Sequence, residues 1–499
     1  MISVIRASLA WPPIVLLLAI IAGASAAWLP FVMPPIAAAA ILPGLLAMAI
    51  LLVMPRAGLF GFVALVTLLP FAVVPVRFGI QFTALDVVLI CLLIGWIVRA
   101  SQVGERVELT RAGIALLVFC AISVASFVFS APYAYTPELL RRFLKLLLST
   151  LFFIVTLNLV TDVQSLIKHI RALIVCGVLA AVVGLALYFQ SPDRQVSLLS
   201  RLQILGYPGG RDVLRFLPGP NDTYTDVLRA TGTSIDPNVF AGMLLIVAAV
   251  LLGQLFARRP IFPRAALAPG MVLVLACLIA THSRATWLGI VVALGWMATL
   301  RYRKAWILGA LGAVAVVMTP FGRGLIARVI SGFEARDKAS ALRLSEYRNA
   351  FEIIQAYPIL GIGFGASPRL GLFPGVSSQY LLVAQQTGLL GFAAYLVAIA
   401  SVLVPSLRFS ATPGRDPRGL VISLQSAFIA ALVSGLFDHY WANQAFPHAV
   451  ALFWYVAALL VRATRLASLD ETQDAPETKE TSEMDVPEVS AFSRSIATS

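Results

Sequence analysis

The stretch SIDPNVFAGMLLIVAAVLLGQLFARR, residues 234–259, sets the class of the whole chain. Asp236-Pro237 is a helix-start pair. The Asp side chain can accept from the unpaired N–H groups of a first turn, and Pro has no N–H to leave unsatisfied there. From Asn238 to Ala257 the run is almost wholly apolar. Roughly 17–25 such residues suffice to cross a bilayer as a helix. Arg258 and Arg259 then close it, as basic residues do on the cytoplasmic side of a span.

The same pattern recurs along the 499 residues, of which 60% are hydrophobic and only 12% charged. A soluble domain carries about 25% charged residues. The spans fall near 14–32, 36–53, 58–76, 84–99, 112–130, 143–160, 169–189, 238–257, 267–281, 284–300, 304–319, 378–404, 419–437 and 445–462. The runs are continuous rather than alternating, which argues against a β-barrel. The expected fold is an all-α polytopic membrane protein of about 14 transmembrane helices, with two long external loops, the second partly helical. The N-terminal stretch imitates a signal peptide, with Arg6 ahead of an apolar run, but the next apolar run follows almost at once. It is read as the first span.

The net charge of +13 is uneven. The tail from Asp470 to Ser499 holds eight acids and two bases, which leaves the remainder near +19. Short-loop arginines and lysines, from Arg56 to Arg418, fall on every second connection. With Arg6, Arg462 and Arg465 they place both termini in the cytoplasm. The chain therefore divides into a transmembrane domain over 1–469, with external loops near 190–237 and 320–377, and an acidic disordered cytoplasmic tail over 470–499. Cys91, Cys120, Cys176 and Cys277 sit inside apolar runs without metal-type spacing and read as small buried hydrophobes. No metal site and no cofactor is expected.

The external loops are rich in arginine, which suits phosphate through its planar fork of donors. The first carries Arg211, Arg215 and Arg229; the second carries Arg343 and Arg348. Local ion pairs, for instance with Asp212 or Glu346, are the plainer reading of any one of them. Within ALRLSEYRNAFEIIQAYP, 341–358, Leu344, Tyr347, Phe351 and Ile354 share one helical face. That helix is expected on the outer membrane surface or over a cavity. GIGFG, 361–365, reads as a flexible turn after it. THSRATW, 281–287, puts Arg284 at a membrane helix end, where it either snorkels or faces a watery cavity. His282 adjoins it, while His169 falls on the cytoplasmic side. LFDHYWANQAFPHA, 436–449, concentrates Asp438, His439, Tyr440 and Trp441. It is either a proton-handling or sugar-binding site, or an aromatic belt with a solvated turn.

Four segments in this order resemble the O-antigen ligase and polymerase family of bacterial membrane glycosyltransferases. They are RATGTSIDPNVFAGM, THSRATWLGIVVAL, RLSEYRNAFEIIQAYPILGIGFG and QYLLVAQQTGLLGF, and the resemblance spans about residues 225–460. It implies a metal-independent enzyme that acts on polyprenyl-diphosphate-linked glycan at the external face of the inner membrane. Its implied partners are that glycan, membrane lipid and a chain-length regulator or other polysaccharide assembly proteins, with no nucleic acid. Arg229 and Arg284 fall where the family places basic residues on the diphosphate. Arg343 and Arg348 would help to hold glycan or phosphate, and Arg211, Arg215 and Asn238 join the candidate binding set.

The family ligases carry a His, then Asn, Ser or Gln, then a Gly-x-x-Gly-like step. Counting back from Gly388 and Gly391 puts Ser377 at the His position and Ser378 at the second, followed by Gln379 and Tyr380. Serine is a poor general base. Asp438 and His439 are therefore the candidates for acceptor activation, and a polymerase is expected ahead of a ligase. A transporter or a non-catalytic binder of the same glycans are the other classes.

Overall fold

The computed structural model describes residues 44–474, except 45, 75–81, 105, 135, 219–223, 320–321, 325, 327–329, 331–337, 366–374, 411–415 and 417. Seven helices are long and apolar enough to cross a membrane: Ala84–Gln102, Arg111–Ser130, Pro137–Leu159, Val163–Tyr188, Pro237–Phe256, Gln379–Ser410 and Pro447–Leu469. Pro55–Leu68, Arg264–Ala280, Arg284–Leu300, Ala305–Val314 and Leu420–Ser434 are apolar but shorter. These helices follow the expected spans from residue 55 onward. The expected span near 14–32 and the tail beyond 474 lie outside the described residues.

The Pro237–Phe256 helix is the axis of the bundle. It is apolar on every face, and 89% of its membrane window is buried, against 33% for Ala84–Gln102. A helix apolar all round belongs inside a bundle. It packs against Leu420–Ser434, Arg264–Ala280, Arg284–Leu300 and Val163–Tyr188. Small residues let the backbones approach: a side chain at Gly253 would strike Ser423, and one at Gly177 would strike Val247. Asp236 caps the helix as expected, accepting from Asn238 N at 2.8 Å and Val239 N at 3.0 Å. At the other end buried Gln254 donates to the Arg418 carbonyl at 3.1 Å and accepts from Ile261 N at 3.1 Å.

The first long loop, near 190–237, is a small folded cap. It contains the Pro192–Ser200 helix, two short 3-10 turns and a hairpin pairing Phe216 with Leu228 and Pro218 with Tyr224. Leu199, Val213 and Leu214 form its own core. Thr233 Oγ1 ties the cap's end to the Leu68 carbonyl at 2.6 Å.

The second loop holds the Lys338–Ala356 helix, which lies against the Gln379–Ser410 helix. The face turned inward differs from the expected apolar stripe. Ala350 and Ile353 are buried, while Leu344 and Phe351 are 45% and 55% exposed. Tyr347 of the stripe packs inward beside Ala350, Val376 and Leu382, while Leu344 and Phe351 face outward.

GIGFG is not a loose turn either. The Gln379–Ser410 helix breaks at Gly388, whose backbone has φ 66° and ψ −176°. Gln385 and Gln386 there offer carbonyls that the helix does not use. Ile362 N and Gly363 N donate to them, both at 2.9 Å, and Leu389 N donates to the Pro358 carbonyl at 2.7 Å. The Gly-x-x-Gly step and GIGFG are thus two halves of one junction.

Candidate functional site

Arg229 is half-buried where the cap meets the bundle. Its Nε donates to the Thr281 carbonyl at 2.8 Å, and its Nη2 to Asn238 Oδ1 at 2.6 Å. These bonds fix the guanidinium between the start of the Pro237–Phe256 helix and the turn that carries Arg284. Arg284 is the first residue of the Arg284–Leu300 helix and is half-buried. Thr281 is the shared point: its carbonyl holds Arg229, and Arg284 follows three residues later.

Two backbone strains mark the same place. Ile235 has φ 60° and His282 has φ 56°, the described non-glycine residues in the left-handed region. For β-branched Ile235 that conformation is a genuine outlier, which the surrounding structure must hold in place. One lies beside Asp236 and Asn238, the other two residues before Arg284.

The second cluster forms where the Lys338–Ala356 helix, the entry of the Gln379–Ser410 helix and the 435–441 turn meet. Gln379 N lies 2.9 Å from both the Gly435 and Asp438 carbonyls. The ligase-like signature is therefore clamped onto Asp438. The Asp438 carboxylate is 7% exposed, accepts from His439 N at 2.8 Å and lies 3.4 Å from His439 Nδ1. Burial pushes its pKa above the ordinary carboxylate range, while the nearby charges of His439 and Arg343 pull it back. Asp236 adds a smaller repulsion, which brings the two clusters within each other's field. Buried Tyr440 joins them further, lying against Gly242 of the axial helix.

Tyr440 and Trp441 are each 1% exposed and reach Ser434 Oγ at 3.4 and 3.0 Å. The aromatic-belt reading of this segment is thereby replaced by a folded turn. Gln444 Nε2 donates to the Phe364 carbonyl at 2.9 Å, tying that turn to GIGFG.

Ser377 stands at the clamp with its N–H donating to Glu346 Oε2 at 2.9 Å. Tyr347 OH lies 3.1 Å from the Ser377 carbonyl and 3.2 Å from that of Leu436. Ser378 and Gln379 are buried, and Tyr380 OH donates to the Leu432 carbonyl at 2.9 Å. These three residues shape the helix entry.

Glu346 is the residue that sequence reading missed. Its place among basic residues suggests a partner in an ion pair, and nothing local points to Ser377, 31 positions away. Arg343 lies half-buried, one turn before Tyr347 and close enough for its charge to reach Asp438. Arg348 is on the exposed face of the helix. The Arg211 and Arg215 side chains bond within the cap, although the Arg215 carbonyl accepts from Arg229 N at 2.8 Å. Arg211 is 86% exposed and lies 3.8 Å from Asp193, and Arg215 bonds the Asp212 carbonyl at 2.7 Å. Among the described residues no three His, Cys, Asp or Glu side chains form a metal-type group.

Residues 269–396 match the family model described as O-Antigen ligase. That match supports the resemblance to the O-antigen ligase and polymerase family over this part of the chain. The matched stretch takes in Arg284, Arg343, Glu346, GIGFG and the Gly388 junction. Arg229 precedes it and Asp438-His439 follows it, so each cluster includes a residue outside the family match. The family is one of glycosyltransferase-like enzymes that handle lipid-linked glycans. No curated protein matches the chain.

Proposed function

We propose that the protein joins polyprenyl-diphosphate-linked oligosaccharide repeats into a surface or exopolysaccharide, as an inverting glycosyltransferase at the external face of the inner membrane. The observation that carries this reading is a pair of neighbouring clusters: Arg229 held beside the turn that bears Arg284, and Arg343 acting on the Asp438–His439 pair, with Asp236 and Tyr440 between them.

The acceptor hydroxyl oxygen attacks the anomeric carbon, and a new C–O bond forms on the face opposite the leaving group. The bond from that carbon to the diphosphate oxygen breaks, and its electron pair leaves with the polyprenyl diphosphate. Arg229 and Arg284 hold that growing charge, and Arg343 assists. Donors already fixed by protein bonds need little rearrangement as charge develops. The hydroxyl proton passes to His439, with Asp438 orienting the ring and offsetting its charge. Long dyad distances such as 3.4 Å are common before substrate binds. Cationic character on the sugar lets deprotonation come late, so a modest base suffices.

The test is extension of lipid-linked repeats by membranes carrying Arg284→Ala at unchanged expression. Chain growth should stop; full-length polymer from that variant would remove Arg284 from the mechanism. The description of the matched family favours a second reading, a ligase that moves the glycan to a lipid or protein acceptor. The product separates the two: chains growing on polyprenyl diphosphate mean a polymerase, and glycan on another acceptor means a ligase. Turnover in detergent, without a membrane potential, argues against a transporter and a non-catalytic binder alike.

A further inference from the structure

At the end of the bundle opposite Arg229 a cleft of about 270 Å³ opens between four elements. Arg56 starts the Pro55–Leu68 helix, Trp96 lies near the end of Ala84–Val103, Arg106 and Glu108 are in the loop after it, and Arg462 comes from Pro447–Asp474. Three arginines and one glutamate are among the lining residues. Glu108 is already engaged. It takes Arg462 Nη2 at 2.6 Å and also pairs with Arg465. Asn158 fixes the loop by accepting from Glu108 N at 2.8 Å and donating to the Glu108 carbonyl at 3.1 Å. The Arg462 side chain is 9% exposed, and its buried Nε has no hydrogen-bond partner among the described residues.

The geometry points to a binding site for the phosphodiester headgroup of an anionic phospholipid. Arg56 and Arg106 bring guanidinium groups to the cleft, Arg462 supplies a held one, and Trp96 walls the cleft at the depth where an amphipathic ring meets the bilayer surface. Basic pockets between spans at the cytoplasmic surface hold such headgroups by charge and by hydrogen bonds. Ile90, Ile94 and Ile97 lie on one face of the Trp96 helix and are 37%, 45% and 52% exposed among the described residues. They form an apolar strip leading to the cleft, where acyl chains would lie. That strip favours a lipid over free phosphate. The site is distinct from the glycan site and rests on none of its residues.

The test uses the full-length protein, delipidated in mild detergent and incubated with phosphatidylglycerol, phosphatidylethanolamine or inorganic phosphate. Bound molecules are counted by native mass spectrometry. Wild type should retain phosphatidylglycerol at least about fivefold over phosphatidylethanolamine, and Arg56→Gln/Arg106→Gln should lose that preference. Arg303→Gln, a basic residue outside the cleft, should keep it. Equal retention by wild type and double variant would overturn the site, as would an equal loss in Arg303→Gln. Binding of inorganic phosphate in place of phosphatidylglycerol would overturn the lipid assignment. Arg106→Gln alone, at an exposed loop position, gives the same comparison if the double variant does not fold.

Discussion

Arg229 is a residue whose role is legible from its place in the chain. An arginine at a membrane boundary with no adjacent acid must snorkel or meet a partner, and here Thr281 and Asn238 hold it through Nε and Nη2. Arg229→Lys keeps the charge but cannot span both acceptors with a planar fork. Glycan transfer should fall by about 100- to 1000-fold, the scale of a lost preorganised donor. A transfer rate unchanged at equal expression would leave Arg229 a purely structural residue. Asp438 makes a pH prediction. Burial raises its pKa above the ordinary carboxylate value, so its charged form appears only at higher pH than for a solvated Asp. The acid limb of transfer rate against pH should sit correspondingly high, and Asp438→Asn should flatten it. An unaltered limb in that variant would assign the titration elsewhere. By linkage, the raised pKa contributes stability that is fully present below the unfolded pKa and lost as pH rises through the folded one. The bond from Ser377 N–H to Glu346 was not legible, because a carboxylate beside arginines gives no local sign of a partner 31 residues on.

Among the elements, the Gly388 junction is where spacing and structure differ most. The Gly-x-x-Gly step reads as a helix entry feature, but the structure uses Gly388 to open the helix so that another segment can pair with it. Its φ is 66°, and a Cβ would overlap the Ile359 carbonyl. Gly388→Ala should therefore destabilise the protein by about 1–3 kcal/mol, as forced strain and overlap do. Gly312→Ala, in a helix with open space at that position, should be close to neutral. Melting temperatures in detergent check both, and equal effects would refute the junction's role. The inward face of the Lys338–Ala356 helix escaped sequence reading for a different reason. In water an apolar stripe marks the core, but beside a bilayer lipid covers apolar surface just as well. Periodicity found the helix and not the side that docks.

Across the whole molecule, Glu108 links the loop after the Ala84–Val103 helix to the C-terminal helix through Arg462 and Arg465. The two bonds should differ in strength. Arg462 is 9% exposed and Arg465 is 49% exposed, so solvent screens the second. Glu108→Gln should cost about 1.5–3 kcal/mol, the scale of a charged hydrogen bond, and Arg465→Gln less than about 1 kcal/mol. Unfolding of both variants in detergent tests the order; a larger loss from Arg465→Gln would reverse it. The sequence by itself determined that this is a helical membrane protein, roughly where its apolar helices run and which arginines lie at their ends. Those properties follow from run length, charge and caps, all local in the chain. Only the tertiary structure decided that residues 229–238 meet 281–284, and that 343–347 meet 377–379 and 438–439, because each is held by hydrogen bonds or charges from distant segments. Only it decided, too, that Asp438 is buried beside a clamped signature, since burial is set by what packs against a side chain and not by its neighbours in sequence.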